Sequence, residues 1–426
     1  MFRKVAGTVI TRFLTAVLML AVVILNTNFL GAEKVGEISL IVLAATIIQM
    51  VHGFIGGASL VYFVPRASMT LLLVASVLWA VVTSAGMSLL LGVFGMIPEG
   101  CLWTVMLLSL VQSLSTVMSM LLLGKERIGA ANLLSLGQFI ILVLFVGGIY
   151  LLTDARQIGV YLYGLVISYG VIMVMGFFLV FRDLKRTSFS GMTALLRSVV
   201  TYGAAAQTGN FLQLLNYRLS YYLVRFYSGM ASLGVFSVGV QISEGLWIVP
   251  RSMSLVQFTR ISNTGERSEP VRLTLLFAKL AVILTAAGML VLLLLPSSFF
   301  IFLFGPQFTG VRGVLFSLAI GIVMFSLSVV ISPYFSGTGR PHINTLAAAI
   351  GLALTLGFGF ILVPRWGLAG AGITSCISYT VTTLFQLFVF ISTEKIRLRE
   401  LLVGAEDLKL LRRVLRRELF INSPDV

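Results

Sequence analysis

The chain is poor in groups that ionise. Only 11% of its 426 residues are Asp, Glu, Lys or Arg, with 15 acids, two histidines and two cysteines among them. Cys101 and Cys376 stand alone, with no CxxC and no Cys/His cluster, which argues against a metal site or a disulfide framework. The absence of a Gly-rich phosphate loop or Walker motif argues against ATP hydrolysis. No carboxylate pair is placed for general acid–base work, so no catalytic residue is expected and the chain reads as a non-enzyme. Segments of alternating polarity, about ten residues long, are missing too, which excludes a transmembrane β-barrel.

What remains is apolar. Hydrophobic residues make up 58% of the chain and the mean hydropathy is +1.04. A soluble domain of this length could not hide so much apolar surface. The apolar residues fall into blocks long enough to cross the ~30 Å hydrocarbon core of a bilayer as helices. Twelve are expected, at 5–30, 38–64, 69–94, 101–123, 130–152, 158–181, 194–223, 232–256, 271–304, 313–335, 343–363 and 368–392. The ninth is long enough to be tilted or to include an interfacial turn. The first is too long in its apolar core, and lacks the small-residue site, expected of a cleavable signal peptide. The fold class is therefore an all-α polytopic membrane protein.

Basic residues set the expected orientation, because cytoplasmic loops carry excess Lys and Arg. With the N-terminus inside, 21 of the 30 basic residues fall on the cytoplasmic side and only Lys34, Arg156, Arg225, Arg312 and Arg365 fall opposite. Both termini are expected to be cytoplasmic. The net charge of +15 then reflects topology and attraction to anionic membrane lipid, and no nucleic-acid partner is implied. The tail, residues 394–426, alternates Leu and Val with Arg and Lys at near-helical spacing. It reads as a basic amphipathic helix on the cytoplasmic face, an anchor or a docking site for polysaccharide-assembly proteins.

The blocks repeat. Gly31, Gly36 and Ser39 recur as Gly229, Gly234 and Ser237, at an offset of 198. Ile167-Ser168-Tyr169 recurs as Ile377-Ser378-Tyr379, and the segment Gly124–Asn132 resembles Gly337–Asn344. The matches occur in the same order in two six-helix halves. This predicts lobes 1–187 and 188–393 related by an axis along the membrane normal, with a substrate path between them.

Few polar side chains interrupt the spans, and these are the site candidates. Arg12 sits in the first span, where it can snorkel or face a cavity, and His52 in the second. Asn210, Gln213, Tyr217 and Arg218 lie on the seventh; Gln241, Glu244 and Arg251 follow one face of the eighth. A charge in the bilayer is costly and usually faces water or a partner. A cavity holding these residues would bind phosphate through its guanidinium groups and sugar hydroxyls through Gln, Asn and Tyr. Plainer readings stand beside this one. Glu244 and Arg251 could pair between helices, His52 could be a packed and satisfied core histidine, and Arg66, Arg260 and Lys279 read as snorkelling side chains. The Gly53, Gly56, Gly57 cluster reads as a close helix contact.

Gly36-Glu-Ile-Ser39, then Gly56-Gly-Ala-Ser-Leu-Val-Tyr-Phe-Val-Pro-Arg66, Ser336-Gly-Thr-Gly-Arg340-Pro-His-Ile-Asn344 and Leu362-Val-Pro-Arg-Trp-Gly367-Leu-Ala-Gly370 together resemble the bacterial Wzx-type O-antigen flippases. These belong to the multidrug/oligosaccharidyl-lipid/polysaccharide (MOP) exporter superfamily, which also holds the multidrug and toxin extrusion (MATE) antiporters. The resemblance implies a MATE-like pair of six-helix lobes and translocation, across the bacterial inner membrane, of an undecaprenyl-diphosphate-linked oligosaccharide for surface polysaccharide. It implies no cofactor, with Na⁺ or H⁺ as the candidate coupling ion. The alternatives are a cation-coupled drug antiporter, which needs an intramembrane carboxylate in its cavity, and a membrane glycan polymerase, which needs a large outer loop that the sequence lacks.

Overall fold

The structure is a computed structural model that describes residues 2–153, 156–184, 191–263, 268–397 and 400, apart from some side chains near the breaks. Every regular element among them is helical: α1 (Phe2–Leu30), α2 (Ala32–Gly56), α3 (Ala58–Phe63), α4 (Met69–Val93), α5 (Leu102–Gly124), α6 (Ile128–Leu152) and α7 (Ile158–Phe181), then α8 (Met192–Ser228), α9 (Met230–Gly245), α10 (Ile248–Asn263), α11 (Ser268–Leu294), α12 (Ser297–Phe304), α13 (Val311–Gly337) and α14 (His342–Glu394). The expected tail helix and the expected 187/188 lobe boundary lie outside the described residues.

Nine of these helices are long and apolar enough to cross a membrane, or ten with the bent pair α9–α10 taken as one span. The protein is a multi-pass membrane protein. At 53 residues α14 is far longer than one crossing, and it leaves helical geometry at Gly367 (φ 54°, ψ −125°), between the eleventh and twelfth expected spans. The polar α8, with 37 residues, corresponds to the seventh. With α14 read as two arms, each expected span finds its helix.

Three spans are broken where the sequence pattern ran straight through. The second divides at Gly57 into α2 and α3. The eighth bends by 45° at Leu246-Trp247. Pro250 explains this break, because it has no N–H to give the carbonyl four residues earlier and its ring crowds that carbonyl. The ninth ends at Leu294, and Pro296 caps the short α12.

The second helix starts at Ala32, six residues before the expected 38, because the chain reverses at Gly31 without a loop. Gly31 has φ 81° and ψ 175°; its repeat partner Gly229 has φ 86° and ψ 175°, between α8 and α9. Only glycine adopts this region readily. The other repeat positions also behave alike. Ser168 and Ser378 are both fully buried and both bond a side-chain amide, Gln138 Nε2 to Ser168 Oγ at 3.3 Å and Ser378 Oγ to Asn216 Oδ1 at 2.7 Å.

The repeat partners also touch one another. α2 packs along α9. A Cβ on Gly36 would fall on the Met230 carbonyl oxygen, and one on Gly234 would fall on the Ala32 carbonyl oxygen. One turn further on, Ser39 Oγ donates to Ser237 Oγ at 2.8 Å. Small residues allow this backbone approach, as they do in other membrane helix pairs. The seam lies near the helix ends that carry the few basic residues Lys34, Arg225 and Arg312. Next to it, Gln307 Oε1 accepts from the Ala32 N–H at 2.7 Å. Towards the other ends, which carry Arg66, Arg127, Arg182 and Arg340, α2 and α3 meet α8 through Phe54 against Gly203 and through Tyr62 stacked on Tyr202 at 4.5 Å.

These turns make a prediction. In Gly229→Ala the new Cβ meets nothing within 4 Å, so only backbone strain of about 1–3 kcal/mol is added. In Gly31→Ala the Cβ also falls 2.7 Å from Gln307 Oε1 and displaces that cap. Thermal unfolding of the detergent-solubilised protein should show both variants lowered, with Gly31→Ala the lower. Equal midpoints would mean that the Gln307 contact adds nothing.

Candidate functional site

The α9–α10 bend brings the polar residues of the second half to one place. Gln241 and Glu244 lie three residues apart on α9, and Arg251 follows beyond the bend on α10. α8 runs beside α9 and carries Arg218. Across from them stands α1 with Thr11, Arg12 and Thr15, flanked by α5, α6 and α7. Together they enclose a cavity of about 1190 Å³. Of the expected residues, Arg12, Arg218, Gln241, Glu244 and Arg251 line this space.

Their electrostatics differ from one another. Arg218 donates to Glu244 through two parallel bonds, Nη1 to Oε1 at 2.8 Å and Nη2 to Oε2 at 2.7 Å. The side chains are 23% and 13% exposed. The guanidinium also sits 5.2 Å from the Tyr221 ring centre. This is a bidentate, mostly buried ion pair with no net charge. The interhelical pairing of Glu244 with Arg251, considered from spacing along the eighth span, is corrected. Glu244 pairs across to α8, because the bend carries Arg251 away and places its guanidinium 5.6 Å from the Trp247 ring centre. Arg12 and Arg251 are exposed to the cavity, and among the described residues neither has a carboxylate partner.

The remaining candidates lie elsewhere. His52 is buried and Asn210 half-exposed in a second chamber of about 650 Å³, between α2, α3, α5 and α8. His52 is packed in the core as the plainer reading expected, and among the described residues neither ring nitrogen has a protein hydrogen-bond partner. Gln213 and Tyr217 line neither space. Tyr217 packs against Trp247, Phe325 and Tyr379 at ring separations of 5.4–6.0 Å. It packs at the bend of α9–α10, where Trp247 lies. Arg66 is exposed and folds back on its own helix, donating to the Tyr62 carbonyl at 2.6 Å with its guanidinium 4.0 Å from the Tyr62 ring centre.

Sequence reasoning missed the wall made by α6. Asn132, Ser135 and Gln138 line the large cavity at three-residue spacing, and that polar stripe in the fifth span is the signal that could have found it. It also missed the role of Asn216, whose Oδ1 accepts from Thr355 and Ser378 at 2.7 Å each and so ties α8 to both arms of α14. Just before α5, the free Cys101 thiol is pushed up by burial and then by the nearby Glu37 carboxylate, so it is not poised as a thiolate.

No family model matches the chain. Over 229 residues it is 24% identical to an uncharacterised membrane protein of Methanocaldococcus jannaschii, covering 53% of this chain and 44% of that one. Over 267 residues it is 20% identical to a probable low-salt glycan biosynthesis flippase of Haloferax volcanii, covering 61% and 54%. The chain spans about half the length of the curated relatives it matches. Its fold is similar to the lipid II flippase MurJ in an inward closed conformation, with TM-score 0.72, 13% identity, and coverage of 100% of this chain and 94% of that one. It is also similar to an inward-facing multidrug resistance MATE transporter of the MOP superfamily, with TM-score 0.69, 16% identity, and coverage of 91% and 99%. The fold is that of MOP-superfamily transporters.

Proposed function

We propose that the protein is a flippase for a polyprenyl-diphosphate-linked oligosaccharide, working by alternating access between lobes 1–187 and 188–393. In a bacterial setting this is the undecaprenyl-linked repeat unit of a surface polysaccharide, carried across the inner membrane with both termini cytoplasmic. One observation carries the reading. Glu244, among the described residues the sole carboxylate lining the large cavity, is neutralised by Arg218, which leaves Arg12 and Arg251 without a carboxylate partner among those residues. Such a cavity attracts a diphosphate and repels an organic cation. A flippase needs only to offer a polar headgroup a path while its lipid tail stays in the bilayer. The glycan and lipid II flippases among the similar proteins support the same class of substrate.

Deleting the gene tests this. Radiolabelled lipid-linked precursor should accumulate on the cytoplasmic side while the corresponding glycan disappears from the surface. Unchanged glycan with new sensitivity to cationic dyes would sink the proposal in favour of drug extrusion.

A further inference from the structure

The two halves also close on each other at the rim beyond the Gly36–Gly234 seam, the outer end in the orientation proposed above. Phe94, Gly95 and Gly100, in the turn between α4 and α5, recur as Phe304, Gly305 and Gly310, in the turn between α12 and α13, at an offset of 210. The first glycine of each turn has positive φ, 66° at Gly95 and 95° at Gly305, a region that glycine enters at little cost. Each turn reverses tightly at the end of a helix, and the last carbonyls of that helix have no partner within it.

Each half supplies a donor to the other. Asn28, in the last turn of α1, donates through Nδ2 to the Leu303 carbonyl at 2.8 Å. Arg225, in the last turn of α8, donates through Nη1 to the Gly95 carbonyl at 2.9 Å. α1 and α8 are counterparts. Thr27 and Arg225 stand at the 198 offset, and their carbonyls accept from the Gly31 and Gly229 N–H groups at 3.3 and 3.1 Å. The first helix of each half thus holds the Phe-Gly turn of the other, with the two donors one position apart in the repeat.

The two arms are unequal. The Gly305 turn is also pinned by Gln307, which accepts from the Ala32 N–H, and by Phe304 and Phe308, both buried in a core shared with Ala32 and Val35 of α2. Phe94, in the place of Phe304, is 70% exposed, so the Gly95 arm depends more on its hydrogen bond. Asn28 and Gly95 are exposed and Arg225 is half-buried. When the halves part, water replaces each lost partner, so these bonds break and re-form at small net cost.

We infer that the two turns are a latch that keeps this end of the transport path shut, with Arg225 setting its strength. This rests on the alternating access proposed above, whichever headgroup is carried.

The test follows alkylation of Ser237→Cys by a water-soluble maleimide, in purified full-length protein with Cys101 and Cys376 replaced by Ser. Ser237 is 0% exposed within the seam, so the reagent reaches it when the seam opens. Arg225→Ala should raise the rate about tenfold, as expected for losing a hydrogen bond from a charged group, and Arg225→Lys, which keeps a donor, should raise it less. Asn28→Ala should raise it about threefold, since Gln307 and the two phenylalanines still hold that arm. Lys34→Ala removes a bond to the Arg156 carbonyl that stays within the first half, and should change nothing. Ser109→Cys, buried inside the first half, should stay equally slow in every variant. Unchanged labelling of Ser237→Cys in Arg225→Ala overturns the latch, and so does equal acceleration at Ser109→Cys, which would mean general loosening. Faster labelling specific to Ser237→Cys, with no movement of lipid-linked glycan in proteoliposomes, would support the latch and remove the flippase reading. Glycan movement with labelling unaltered by Arg225→Ala would do the reverse.

Discussion

Arg251→Ala should reduce export of the lipid-linked glycan by about 10- to 100-fold with the protein present at its normal level. The guanidinium is exposed to the cavity and among the described residues has no carboxylate partner, so its loss breaks no ion pair and gives up only the contact with the Trp247 ring. What it loses is bidentate bonding to phosphate oxygens, and hydrogen bonds to charged groups contribute about 1.5–3 kcal/mol each. Arg251→Lys keeps the charge without the fork and should fall between. Arg218→Ala should behave differently. It strands Glu244 in a mostly buried place, and removing one member of such a pair costs about 3–5 kcal/mol. Its defect should be in the amount of folded protein, and Glu244→Gln in the same chain should restore much of that amount. Immunoblots of the membrane fraction, read beside surface glycan, separate the two outcomes. Normal export by both Arg251→Ala and Arg12→Ala at equal protein levels would show that the cavity cations do not hold the diphosphate.

Cross-linking the α2–α9 seam should stop transport. In a chain with Cys101 and Cys376 replaced by Ser, the pair Ser39→Cys and Ser237→Cys puts two thiols where hydroxyl oxygens stand 2.8 Å apart, within reach of a disulfide. Alternating access requires the two halves to part at this end in one phase of the cycle. Oxidised protein in proteoliposomes should flip labelled lipid-linked oligosaccharide at least about tenfold more slowly than reduced protein, and a reductant should restore the rate. A fully cross-linked preparation flipping at the reduced rate would mean that the seam stays shut throughout transport.

Much of this architecture is legible in the chain because bilayer thickness imposes one length on every apolar block. The breaks within blocks are less so. Pro250 and Gly57 sit inside long apolar runs, and whether such residues kink a span or merely sit in it depends on the neighbours that re-satisfy the backbone. Helical spacing placed Gln241, Glu244 and Arg251 on one face, and all three line the large cavity. It could not foresee that the α9–α10 bend would pass the carboxylate to Arg218, because partners on adjacent helices leave no fixed spacing in sequence. Tyr217 is misplaced for a related reason: a stripe of polar and aromatic residues marks a helix face without saying whether water or Trp247 lies against it. The lining of the smaller chamber was hidden because glycines that make room for a side chain, as Gly56 does for His52, look the same as glycines that let helices touch.

The seam at Gly36 and Gly234 has a further property. Gly36 meets the carbonyl of Met230, and Gly234 meets that of Ala32, which is Met230 moved back by the repeat offset of 198. Each residue touches the counterpart of its counterpart's neighbour, and Ser39 touches its own. That is the contact pattern of an isologous interface in a twofold homodimer, drawn here within a single polypeptide. A half-length ancestor would have carried both sides of this junction on one surface, so that two copies could associate before any gene fusion.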